Sequence, residues 1–150
     1  MTRVLASTAL FLLATLGARA AAEPACPPTR PDMLGPFYEP NSPERSVTGR
    51  GLVITGRVAS AKGCAPLPGA QLEWWSANPR GDYDAEHRGA QRADGTGRYR
   101  YETDLPGRYP GRPLHLHVRV TAPGHKPLIT QLYPRPGQAV MEVEFVLLAD

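Results

Sequence analysis

The stretch Leu114-His115-Leu116-His117-Val118-Arg119-Val120 alternates apolar and polar residues without a break. Successive side chains of a β-strand point to opposite faces. Leu114, Leu116, Val118 and Val120 then share one face, and His115, His117 and Arg119 share the other. The apolar face belongs in a core, and the two imidazoles converge on one point beyond it. Immediately upstream, Tyr109-Pro-Gly-Arg112-Pro adds a phenol and a guanidinium to the same short segment.

Working outward, the chain from Gly51 onward reads as short strands between Gly/Pro turns. Strands are expected at Leu52 to Val58, Ala70 to Ser76, Arg98 to Thr103, Leu114 to Val120, Leu128 to Tyr133 and Val140 to Leu148. Turn signals fall at Pro66-Leu-Pro-Gly69, Asp94-Gly-Thr-Gly97, Leu105-Pro-Gly107 and Pro134 to Gly137. No helical stretch of usable length lies between them. The expectation is an all-β fold, an antiparallel β-sandwich forming a single domain over residues 51–150.

Residues 21–50 carry little hydrophobic periodicity, and Pro24, Pro27, Pro28, Pro31 and Pro36 forbid a helix. They read as an extended N-terminal arm with one apolar anchor, Leu34-Gly-Pro-Phe-Tyr38. Residues 1–20 read as a signal peptide. Arg3 supplies the charged start, Val4 to Leu16 the apolar run and Ala18-Arg19-Ala20 the cleavage site. The protein is expected to be exported, to the periplasm or beyond the cell, with no membrane association once the signal is removed. In that compartment Cys26 and Cys64 are expected to pair as a disulfide.

The chain of 150 residues has 17 basic side chains, of which Arg3 and Arg19 lie in the signal. The fifteen that remain face 14 acidic ones, so the mature chain is near neutral. Without a concentrated basic patch, nucleic-acid binding is not expected. Assembly into a homo-oligomer stays open.

An isolated H-x-H pair is common on a wet strand face, and Tyr83 and Tyr109, each read alone, are packing residues. Taken together, two imidazoles and two phenols form a set of neutral nitrogens and anionic oxygens. Such a set suits a hard trivalent ion such as Fe(III), which offsets the cost of deprotonating a phenol. Zinc more often takes Cys or carboxylate ligands. An Fe(II) facial triad needs a carboxylate near the pair, and Glu86, Asp94 and Glu102 are remote in sequence. His87 and His125 are expected to be exposed. Trp74 and Trp75 point to opposite faces of one strand, one into the core and the other toward a pocket or interface.

An ordered set of segments resembles the intradiol ring-cleavage dioxygenases. It begins with Leu34-Gly-Pro-Phe-Tyr38, Gly51 to Val58, Pro68 to Asn78 and Gly81-Asp-Tyr83. It continues through Asp94 to Arg100, Pro106 to Pro110, Arg112-Pro-Leu-His-Leu-His117 and Leu128-Ile-Thr-Gln131. The resemblance implies a non-haem Fe(III) held by Tyr83, Tyr109, His115 and His117, with Tyr83 beside His115 and Tyr109 opposite His117. It implies that a small aromatic diol and O2 are the substrates and that a muconate-type dicarboxylate is the product. Tyr109 would give way to the diol and take up a proton. Arg112 would stabilise negative charge on the bound substrate, and Gln131 would support the pocket. The spans from Tyr83 to Asp94 and from Tyr109 to His115 are short for the family, so a more open pocket is expected. The strand and turn pattern also resembles carboxypeptidase-regulatory and prealbumin-like modules. Those imply a non-catalytic exported binding module, but they supply no reason for Tyr83 or for the His-x-His segment.

Overall fold

The computed structural model describes residues 26–108 and 110–150. Tyr109, the expected signal peptide and the first residues of the arm lie outside the described residues. Eight strands follow the arm: β1 Leu52–Ser60, β2 Gln71–Ala77, β3 Tyr83–Arg92, β4 Arg98–Thr103, β5 Leu116–Thr121, β6 Leu128–Leu132, β7 Val140–Glu142 and β8 Phe145–Leu147.

The strands form two four-stranded sheets and no helix is present among the described residues. One sheet runs β3-β2-β5-β6 and is antiparallel throughout. In the other, β1 pairs antiparallel with β4 and parallel with β7 and β8, so this sheet is mixed. The apolar faces meet in one core. Leu72, Trp74, Leu116, Val118 and Val120 come from one sheet, and Leu52, Ile54, Tyr101 and Phe145 from the other. Trp74 stacks on Tyr101 across this core, with ring centroids 4.6 Å apart. Leu116, Val118 and Val120 are essentially inaccessible, as their alternation requires.

Three strand readings change. The expected strand from Val140 to Leu148 is two strands, because Val143 breaks the ladder where it crosses β1. A Cβ on Gly56 would lie 1.7 Å from Val143 O, so only glycine admits this crossing. Tyr99 Oη donates to the same carbonyl at 2.7 Å. Strand β5 begins at Leu116, which leaves His115 just outside it. Strand β3 was not expected at all. Its sequence, YDAEHRGAQR, has no apolar alternation, because it is an edge strand whose buried side chains include His87 and Arg88.

The arm lies across the outer face of the β3-β2-β5-β6 sheet and then along its edges. Cys26 is joined to Cys64 by a disulfide. The Thr29 and Asp32 amides donate to Val146 O and Ile129 O. Further on, Glu44 bridges to Ala90 of β3 and Val47 to Glu102 of β4. The arm therefore covers one edge of each sheet, sites that would otherwise present unpaired backbone groups.

Candidate metal centre

Strand register builds the floor of the site. Arg88 of β3 lies opposite Trp75 of β2, Trp75 opposite His117 of β5, and His117 opposite Gln131 of β6. These four residues form a row across the outer face of the sheet, and all are buried. The arm covers the row residue by residue. Gln131 Nε2 donates to Met33 O at 2.8 Å. Gly35 sits against the His117 ring, so closely that a Cβ there would lie 2.9 Å from Cε1. Tyr38 meets Trp75 edge-on at 5.0 Å. Arg88 Nη1 donates to Phe37 O at 2.7 Å and its Nη2 pairs with Glu39 at 3.1 Å. One row further along, Glu73 is buried and pairs with Arg119, and Tyr38 Oη donates to Glu73 Oε1 at 3.2 Å.

Tyr83 is the first residue of β3, paired with Ala77 across an irregularity in the β2–β3 ladder. Its Oη lies 3.2 Å from His115 Nε2 and 3.2 Å from His117 Nε2. Residues 32 and 34 positions apart in sequence thus bring one phenol oxygen and two imidazole nitrogens together. His115 Nδ1 is 2.9 Å from Pro113 O, so that nitrogen carries the proton and Nε2 presents its lone pair to the cluster. Burial, with the neighbouring His115 imidazole adding to it, pushes His117 down to about 4, so it is neutral over the physiological range. Trp75 stacks flat on the His117 ring with centroids 4.9 Å apart, which fixes the ring plane.

These donors fit a metal ion. Spacings of 3.2 Å are those of neighbouring ligands around one ion with bonds of about 2 Å. The His117 imidazole is in the neutral form that coordination requires. Among the described residues no three His, Cys, Asp or Glu side chains gather as a metal site, and the third group beside the two imidazoles is the Tyr83 phenol. Tyr109, the fourth expected ligand, lies outside the described residues.

Arg112 is half-buried, and its Nη2 donates to Gln131 Oε1 at 2.6 Å. Tyr133 Oη donates to Asp32 Oδ2 at 2.7 Å and also reaches Gln131 Oε1 at 3.0 Å. The Tyr133 ring centroid is 6.4 Å from that of His115. Arg112 and Gln131, predicted from resemblance, are thus joined to each other and to the arm. A surface recess of about 510 Å³ lies beside them, lined by Arg108, Pro110, Gly111, Arg112 and Pro113.

Two expectations about histidines are corrected. His87 is buried, 7% exposed, between Asp84 and Asp104, because the arm and the segment after β4 close over β3. His125 is half-buried, with Nε2 2.9 Å from Ser60 Oγ and Nδ1 2.9 Å from Pro123 O. Sequence reasoning passed over Arg88 and Asp32, which lie in segments without periodicity, and Tyr133, at the end of an expected strand. Phe37 had a signal, since it belongs to the one apolar run of the arm.

A two-sheet sandwich with a phenol and two imidazoles converging on its outer face defines a β-sandwich protein with a candidate metal centre. No family model matches the chain. The dioxygenase domain of a dioxygenase–carbohydrate-binding protein fusion from Streptomyces sp. SirexAA-E superposes with a TM-score of 0.71 at 33% identity, covering 83% of this chain and 99% of that domain. A catechol 1,2-dioxygenase of Candida albicans is 35% identical over 138 residues, 67% of this chain and 45% of the relative. A 6-chlorohydroxyquinol 1,2-dioxygenase of Cupriavidus pinatubonensis is 29% identical over 161 residues, 81% of this chain and 58% of the relative. The chain belongs to the intradiol ring-cleavage dioxygenase superfamily. It spans about half the length of these two curated relatives.

Proposed function

We propose that the protein is a non-haem Fe(III) intradiol dioxygenase that opens the ring of a catechol-type diol with O2. The observation that carries this reading is the meeting of Tyr83 Oη with His115 Nε2 and His117 Nε2 at 3.2 Å. Tyr83, Tyr109, His115 and His117 would hold the ion. When bound, Fe(III) would supply a hard Lewis-acidic centre that makes the diol ring reactive toward O2. Both oxygen atoms of O2 enter the product, so a catechol becomes a muconate-type dicarboxylate without an external reductant.

The chain's own residues divide the remaining work. Tyr109 Oη accepts a proton as the diol binds. Arg112 presents a fixed positive group where negative charge develops on the substrate. Gln131 holds that guanidinium at 2.6 Å, and Tyr133 supports Gln131. Phe37 and Trp75 exclude water from Tyr83 and His117. The disulfide between Cys26 and Cys64 supports the reading of an exported protein, periplasmic or extracellular. A non-catalytic binding module of the same architecture gives the three-donor convergence no role.

Metal analysis together with a visible spectrum, before and after adding catechol under nitrogen, tests the proposal. One iron per chain and a wine-red colour from tyrosinate-to-iron charge transfer are expected, with a band that moves on adding catechol. Tyr109→Phe should shift the band and slow catechol cleavage. A colourless protein that takes up no iron on refolding would sink the reading.

A further inference from the structure

His87 stands apart from the donor cluster, four residues after Tyr83 on β3. Its Nδ1 lies 2.7 Å from Asp84 Oδ1 and its Nε2 2.9 Å from Asp104 Oδ2. A neutral imidazole donates from one nitrogen only, and ionised carboxylates only accept. Satisfying both contacts takes the imidazolium, with an N–H directed at each carboxylate.

The carboxylates are themselves well placed. Asp84 Oδ1 accepts the His87 backbone N–H at 2.9 Å, and Asp84 Oδ2 accepts Asn78 Nδ2 at 2.9 Å. Asp104 Oδ1 accepts the Arg50 amide at 3.1 Å. Its other oxygen uses the room left by Gly49, where a Cβ would lie 2.4 Å away. A recess of about 390 Å³ beside the group also carries Arg80 and Glu86, which are exposed.

The two ends of this bridge belong to different parts of the centre. Asp84 adjoins Tyr83, and Asp104 opens the segment 104–108 that leads by one peptide bond into Tyr109. The same segment docks on the β2–β3 turn, with the Gly107 amide donating to Asn78 O at 2.9 Å. A Cβ on Gly81 would lie 2.4 Å from Arg108 O, so the two stretches of backbone are in contact.

We infer that His87 is a positioning residue, an imidazolium clamped between Asp84 and Asp104 that sets the spacing of the Tyr83 and Tyr109 segments. The inference rests on the proposed metal centre for its functional consequence. His87 acts through the backbone that carries the donors. The clamp needs the ring proton. Burial opposes the charge, and hydrogen bonds to Asp104 and then to Asp84 outweigh it, raising the His87 pKa. Once the ring is deprotonated, one carboxylate faces a lone pair and that end opens.

The test compares wild type, His87→Gln and Asp104→Asn. Iron retention and the visible band are followed across pH, and amide hydrogen exchange over residues 104–108 is measured in the iron-free proteins. His87→Gln cannot donate to both carboxylates. It should exchange faster over 104–108, shift the band and retain iron about tenfold less well at every pH. In Asp104→Asn an amide N–H meets the neutral Nε2, so the bridge survives without the ring proton. That variant should keep the band and lose the alkaline step seen in wild type. The inference is overturned if His87→Gln matches wild type in exchange, band and pH profile, or if Asp104→Asn keeps the alkaline step. A wild type that binds no iron removes the metal-centre reading instead. The exchange measurement needs no metal and decides by itself whether His87 joins the two segments.

Discussion

Phe37 stacks on Tyr83, with ring centroids 4.2 Å apart and planes 16° from parallel. The stack joins the arm to the one phenol among the described donors. The Arg88 hydrogen bond to Phe37 O holds the arm in place from below.

Phe37→Ala should therefore act on both stability and the centre. The aromatic pair contributes about 1 kcal/mol beyond its buried area, and the half-buried ring adds a similar amount. A loss of about 2 kcal/mol is expected in urea denaturation. In the iron-loaded protein the tyrosinate band should shift as water reaches Tyr83. An unchanged band would separate the arm from the centre.

Gly35 adopts φ +74°, and a Cβ there would press on His117 Cε1 at 2.9 Å. Gly35→Ala pays for the left-handed backbone, about 1 kcal/mol, and also displaces the imidazole. Gly124 has φ +70° with nothing within 4 Å of a Cβ. Gly124→Ala should carry the backbone penalty alone. The comparison predicts weaker iron retention for Gly35→Ala and wild-type retention for Gly124→Ala.

The disulfide joins residues 38 apart. In the chain-entropy account a loop of that length stabilises the fold by about 4 kcal/mol. A Cys26→Ser, Cys64→Ser double variant should lose most of this in chemical denaturation. The Asp32 amide, which donates to Ile129 O, should exchange faster as the arm loosens.

The His87 clamp predicts how stability varies with pH. Its folded pKa is raised above the ordinary value of about 6.5. Its contribution is complete below that value and is lost as pH rises through the folded pKa. Burial pushes Asp84 and Asp104 upward, but the His87 bond and further bonds outweigh it, leaving both below the usual carboxylate range. Their contribution is present above about 3.9 and is lost as pH falls through the depressed values. The thermal midpoint of wild type should exceed that of His87→Phe most between about pH 4 and pH 6.5. The gap should shrink toward alkaline pH. A gap that widens with rising pH would contradict the clamp.

Alternation is a local property, and where it exists it was readable. Arg98–Thr103 has the bounds its pattern predicts, and Leu116, Val118 and Val120 face the core as their spacing requires. The same spacing placed His117 and Arg119 on the outer face, away from that core. Strand β3 was invisible because hydrophobic period reports only a face turned to an apolar core. The buried residues of β3 include a histidine and an arginine under a polar arm.

Resemblance named Tyr83, Arg112 and Gln131, but what each of them meets depends on contacts far apart in the chain. The row Arg88–Trp75–His117–Gln131 exists only because four strands take one register. A slip of one residue would turn His117 into the core. Where the arm crosses that row is set by packing, through Gly35 on His117, Tyr38 on Trp75 and Phe37 on Tyr83. His87 reads as a surface residue because its partners, Asp84 and Asp104, are brought together only when segment 104–108 docks on the β2–β3 turn. Local periodicity determines which face a side chain takes, and long-range pairing determines what it meets there.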